Sequence, residues 1–300
     1  MTTVRKPTWT SSSLLLYVGG LTVLSSALAS LAYLAAHYGS GALTAWALLP
    51  LFVLLAIAQA LRKRGEWIAA GVFAFGAVGM WGAFVGILFT WWGWGADSTS
   101  SNVFEGWNWA LWLLLLLLIA GASAALRRFR FPLLFVYVLW SVYFLVTDVI
   151  SSGGNWSAVV TLLIGFVYLF VGVSVDRGPR NPYGFWWHFS AAFLIGGALV
   201  YWWHSSEADW ALLATASVAY TLLAGRTQRS IWALLGILGF FAAATHWTIE
   251  WVSTGLLSLG SDRSWVPLVV TAVVGLFFVL LGLLLEARRR RREPPPLPAS

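Results

Sequence analysis

Long apolar runs alternate with short clusters of Arg and Lys along almost the whole chain. Ten runs reach the roughly twenty residues needed to cross about 30 Å of hydrocarbon. They cover 13–36, 43–61, 67–92, 107–126, 131–150, 157–175, 185–204, 210–225, 231–254 and 265–286. Runs of this length without interior charge predict helices, because a helix satisfies its own backbone polar groups in lipid. The basic clusters fall before the first run, Arg5-Lys6, and after every second run: Arg62-Lys63-Arg64, Arg127-Arg128 with Arg130, Arg177 with Arg180, Arg226 with Arg229, and Arg288, Arg289, Arg290, Arg291 and Arg292. Positive charge at span ends is held on the cytoplasmic side. The pattern therefore predicts an all-α transmembrane bundle of ten spans in five hairpins, with both termini cytoplasmic. Residues 1–12 form a cytoplasmic lead, 13–287 the membrane domain and 288–300 a basic, Pro-rich tail without fixed structure.

Composition narrows the class further. Apolar residues make up 60% of the 300 and charged ones 10%, and the mean hydropathy of +0.80 excludes an ordinary soluble domain. The net charge of +7 is spread over inner loops and tails rather than gathered on one face, which excludes nucleic acid as a partner. The expected partner is instead the bilayer, with anionic headgroups meeting Arg62, Lys63, Arg64, Arg127, Arg128, Arg130 and the Arg288–Arg292 run. Cysteine is absent, so disulfides, thiolate catalysis and Cys-ligated metals are excluded. The 21 Trp residues gather near the span ends, mostly the outer ones, as expected of headgroup anchors. Trp9, Trp67, Trp186, Trp187 and Trp232 mark the inner side. Residues 26–30, Ser-Ala-Leu-Ala-Ser, match a signal-peptide cleavage pattern. The apolar run continues through Ala36, so segment one is read as a span.

Several spans carry their small and polar residues on one helical stripe, the side expected to face protein. Gly79, Gly82 and Gly86 mark such a stripe in segment three, and Gly236 and Gly239 in segment nine, where Ala243, His246 and Glu250 continue it. Ionisable groups at membrane depth are costly and by default mark a site or a pair. We therefore expect an outer-leaflet polar pocket of His37, Asp148, His204, His246 and Glu250, with His246 and Glu250 placed at i, i+4 to share a proton or a ligand.

No metalloprotease, nucleophile-elbow or P-loop signature occurs, and no cofactor is implied. The alternation of apolar spans with Arg pairs, and the ending Gly275-Leu-Phe-Phe-Val-Leu-Leu-Gly282 before Ala287 and the Arg run, resemble a broad group of bacterial multi-pass membrane proteins classed as domains of unknown function. That resemblance covers most of the chain and implies a bacterial cytoplasmic membrane protein without specifying an activity. In length, span number and cytoplasmic termini the chain is also similar to the drug/metabolite transporter superfamily, although only Pro50 lies well inside a span. Trp91-Trp92-Gly93-Trp94 through Trp107-Asn108-Trp109 resembles the tryptophan-rich segment of haem-handling cytochrome c maturation proteins. The Asp of that family's W-x-W-D signature is here replaced by Ala110. Three readings follow in descending order: a non-catalytic structural, assembly or regulatory membrane component; a small-molecule transporter; and a metal- or haem-handling protein.

Overall fold

The computed structural model describes residues 39–94, 109–150, 154–176 and 181–253, together with the single positions 19, 22, 25, 26, 29, 30, 37 and 273. Among them lie eight helices: α1 (Ser40–Lys63), α2 (Trp67–Trp91), α3 (Trp109–Phe129), α4 (Phe135–Ile150), α5 (Gly154–Asp176), α6 (Gly184–Trp202), α7 (Glu207–Thr227) and α8 (Ser230–Ser253). A 3-10 turn, Pro132–Leu134, leads into α4. All eight are long and apolar enough to cross a membrane, the pattern of a multi-pass membrane protein. They match predicted segments two to nine, with every boundary within four residues. Predicted segments one and ten, with the cleavage pattern, are described at single positions only, and both tails and residues 95–108 lie outside the described residues.

The turns explain where the helices stop. Gly65, at φ +84, closes α1: its N–H reaches the Arg62 carbonyl and the Glu66 N–H reaches Leu61. This is the paired 6→1 and 5→2 bonding of a Schellman end, which needs a left-handed residue that glycine supplies cheaply. α7 begins with a reciprocal cap, the Asp209 N–H donating to Ser206 Oγ and the Ser206 N–H to the Asp209 carboxylate.

The chain divides into two compact units, Met1–Val160 with Asn181–Trp186, and Thr161–Arg180 with Trp187–Ser300. In the first, Ala47, Leu54 and Ala58 of α1 meet Ala69, Ala70, Ala74 and Ala77 of α2 in a buried apolar seam. Alanine permits the close approach that dispersion needs, since lipid removes any hydrophobic drive between helices. Ala122, Phe129 and Leu134 extend this core. Tyr137 Oη donates to the Phe75 carbonyl at 3.1 Å, directly opposite Gly79. Trp81 Nε1 donates to the Leu117 carbonyl at 3.1 Å.

In the second unit α7 and α8 pack through their small residues. A Cβ on Gly236 would lie 2.5 Å from the Ser217 carbonyl and from Thr221 Oγ1, and one on Gly239 would lie 2.5 Å from Ser217 Oγ. Outward faces are apolar: Leu163, Phe166, Val167 and Phe170 of α5 form an exposed i, i+3, i+4, i+7 stripe. Such a surface suits hydrocarbon rather than water.

Candidate functional site

The most elaborate polar cluster in the described protein lies in the second unit, where α5 ends and α6 and α8 begin. Asp176 is the last residue of α5. Asn181 then sets the entry to α6: its side chain accepts from the Tyr183 N–H and its carbonyl from the Gly184 N–H. One turn into α6 sits His188, with no solvent exposure. At the start of α8 come Arg229 and the equally buried Trp232, just after Gln228 closes α7 in the left-handed conformation.

These four side chains form one chain of bonds. Trp232 Nε1 lies 3.1 Å from His188 Nδ1, and an indole N–H can only donate. Nδ1 is therefore the acceptor, and the ring hydrogen sits on Nε2, which donates to Asp176 Oδ2 across 2.9 Å. Arg229 grips the same carboxylate with two donors, Nε to Oδ2 at 3.0 Å and Nη2 to Oδ1. Bidentate Arg–carboxylate pairs are among the strongest polar contacts because the guanidinium fork matches the two oxygens. Asp176 and Arg229 keep about a quarter of their surfaces exposed, 21% and 26%. Gly172 makes room for the arrangement, since a Cβ there would press on His188 Nε2 and Trp187 Cβ at 3.2 Å. Tyr220 packs edge-on against Trp232, with ring centroids 4.9 Å apart, and donates to the Ala192 carbonyl.

Chemically this is a tie between three helices. Both ring nitrogens of His188 are committed, so neither has a lone pair to offer a metal or a substrate. Trp232, expected as an inner headgroup anchor, is instead packed inside the protein because its N–H holds the histidine. The sequence reading omitted His188 and Asp176 from its site. One signal was present: Asp176 is an acid set directly beside Arg177 in an inner basic cluster.

The expected outer pocket residues sit as follows. Asp148, in the first unit, accepts from Trp112 Nε1 at 2.9 Å. His204 bonds through Nδ1 to the Val200 carbonyl of its own helix. His246 Nε2 lies 3.1 Å from Glu207 Oε1, and its ring stacks on Trp210 with centroids 4.3 Å apart. Glu250 lies one turn beyond His246 on α8 and is half-buried; His37 is exposed. Among the described residues no group of three or more His, Asp or Glu is placed to hold a metal ion. Of the glycines, Gly79 faces Tyr137, Gly82 and Gly86 face Leu118 and Leu114 of α3, and Gly236 and Gly239 face α7.

The second unit also contains an apolar crevice of about 310 Å³ between α6, α7 and α8, bordered by Ala192, Gly196, Val200, Ser217, Tyr220 and Gly239. No protein-family model, curated protein or solved structure matches this chain.

Proposed function

We propose that this chain is a non-catalytic component of a bacterial cytoplasmic membrane, acting in structure, assembly or regulation. In this reading it has ten spans and cytoplasmic termini. The observation that carries the reading is the state of His188: buried, with Nδ1 taken by Trp232 and Nε2 by Asp176. The side chain best shielded for chemistry is used instead as a joint. Asp148, His204 and His246 likewise meet a Trp, a helix carbonyl and a Glu. The location follows from the resemblance to bacterial multi-pass proteins and from cations gathered at alternate helix ends. Anionic headgroups of the inner leaflet are the proposed partner there.

The crevice between α6, α7 and α8 favours one second reading, a transporter of small apolar molecules. The chain lacks cysteine, so a single introduced thiol reports its own access without background. We expect Gly197→Cys and Ala216→Cys, both bordering the crevice, to resist a membrane-impermeant maleimide from either side of sealed vesicles. Labelling of either from one side would displace the structural reading in favour of transport. Thr227→Cys, at the Arg226 end of α7, should label only from the cytoplasmic side. Labelling from the opposite side would reverse the proposed orientation.

A further inference from the structure

Charge at the turn end of the first unit is left unbalanced. Arg62, Lys63 and Arg64 close α1, while Arg127, Arg128 and Arg130 close α3, against the single acid Glu66. The ion pairs found among the described residues involve Asp176 and Glu207, not Glu66. The two basic groups meet in space rather than merely sharing a side of the membrane. The guanidinium carbon of Arg62 lies 5.6 Å from the Trp67 ring centroid and 5.9 Å from that of Phe129. Phe129 is buried, and the exposed Arg128 and Arg130 flank it in sequence, their charges acting on Arg62.

Two features set this cluster apart from a solvated basic surface. Arg62 Nη1 is shielded from solvent and has no hydrogen-bond partner among the described residues. A donor shielded from water with no partner is uncommon, so such an atom calls for an explanation. The two rings hold the guanidinium plane in place before any anion arrives, which lowers the ordering cost of binding. Arg130, meanwhile, ends α3 at φ 53, its N–H bonded to Leu126 O at 2.8 Å. Glycine or asparagine fits that conformation more cheaply. Arginine at this position adds a third cation beside the clamped one.

We propose that Arg62, Arg128 and Arg130 form a phosphate-binding site, held open by Trp67 and Phe129, that takes the headgroup of an anionic membrane phospholipid. Guanidinium forks match phosphate oxygens, and three around one phosphodiester would outweigh its single negative charge and offer Arg62 Nη1 a partner. The site deepens the headgroup partnership proposed above and rests on that reading.

Native mass spectrometry of the purified full chain in detergent tests the site, with phosphatidylglycerol and phosphatidylcholine of identical acyl chains as probes. Wild type should retain phosphatidylglycerol and not phosphatidylcholine. Arg128→Gln/Arg130→Gln should bind it about tenfold more weakly, on the scale of one charge-assisted headgroup contact or more per Arg. Arg62→Lys keeps the charge but loses the fork, and should also weaken retention. Arg177→Gln/Arg180→Gln removes the same charge elsewhere and should bind as wild type does. Equal loss in both double variants would show diffuse attraction and overturn the site, as would equal retention of the two lipids. Inorganic phosphate in a parallel titration separates the sources. Displacement of phosphatidylglycerol at millimolar phosphate would overturn the lipid assignment, while no displacement supports it. If the double variant does not fold, Arg130→Gly removes one cation while suiting the backbone, and its unchanged phosphatidylglycerol binding would equally overturn the proposal.

Discussion

The two units hold helices together by opposite means. In the first, alanines on α1 and α2 mesh in an apolar seam and the clustered arginines find no acid among the described residues. In the second, glycines admit α8 against α7, and a carboxylate, a histidine, an arginine and an indole are spent on one another. Lipid is as apolar as leucine, so neither unit gains hydrophobic free energy from helix association itself. The apolar seam rests on many small dispersion contacts and fails gradually when one is lost. The polar tie concentrates its contribution in a few groups, and losing one strands the others in a medium that cannot solvate them. Removing single groups should therefore separate the two units sharply.

The largest effect is expected from Asp176→Ala, which leaves Arg229 and buried His188 without their shared acceptor. It should cost about 3 kcal/mol, read as earlier unfolding in graded denaturing detergent. Unfolding at the wild-type point would remove the tie as a source of stability. Gly236→Val comes next, at about 2 kcal/mol, because its Cβ meets backbone that cannot yield. Gly197→Ala, whose Cβ has open space, should stay within about 0.5 kcal/mol of wild type, and an equal loss in both would discard the close-approach argument. Trp232→Phe keeps the ring packing but strips the donor from His188 Nδ1, for about 1–2 kcal/mol. The smallest change belongs to the first unit. Tyr137→Phe loses a bond to the Phe75 carbonyl and should cost about 0.6 kcal/mol, the typical membrane value. A loss from Tyr137→Phe as large as that from Asp176→Ala would erase the contrast between the units.

The sequence carried the helices much better than their pairing. Segments six and eight read as short, 157–175 and 210–225, yet the helices run Gly154–Asp176 and Glu207–Thr227. The added residues are polar or small caps, Gly154 and Asn155, Glu207 and Asp209, which hydropathy discounts and hydrogen bonding includes. The candidate site was harder to see because period-based reading looks along one helix. It places His246 and Glu250 one turn apart on a single helix, and does not report the hydrogen bond between His246 and Glu207, 39 residues earlier. Asp176 and Arg229 are 53 residues apart and on different helices. No spacing rule within a single sequence reports such a pair. The glycines were legible for the opposite reason: a small residue on a stripe announces a close neighbour without naming it, and Gly236 needed no more than that.

The separation of the tie's members along the chain has a consequence for biogenesis. Asp176 leaves the ribosome 12 residues before His188 but 53 before Arg229. At about 5–20 residues per second the carboxylate spends about 3–10 s awaiting its guanidinium. During that interval His188 is the one member of the tie made to meet the acid at the end of α5. The second unit is therefore latched by a residue made well after α5, and α7 must already have been made when the latch closes.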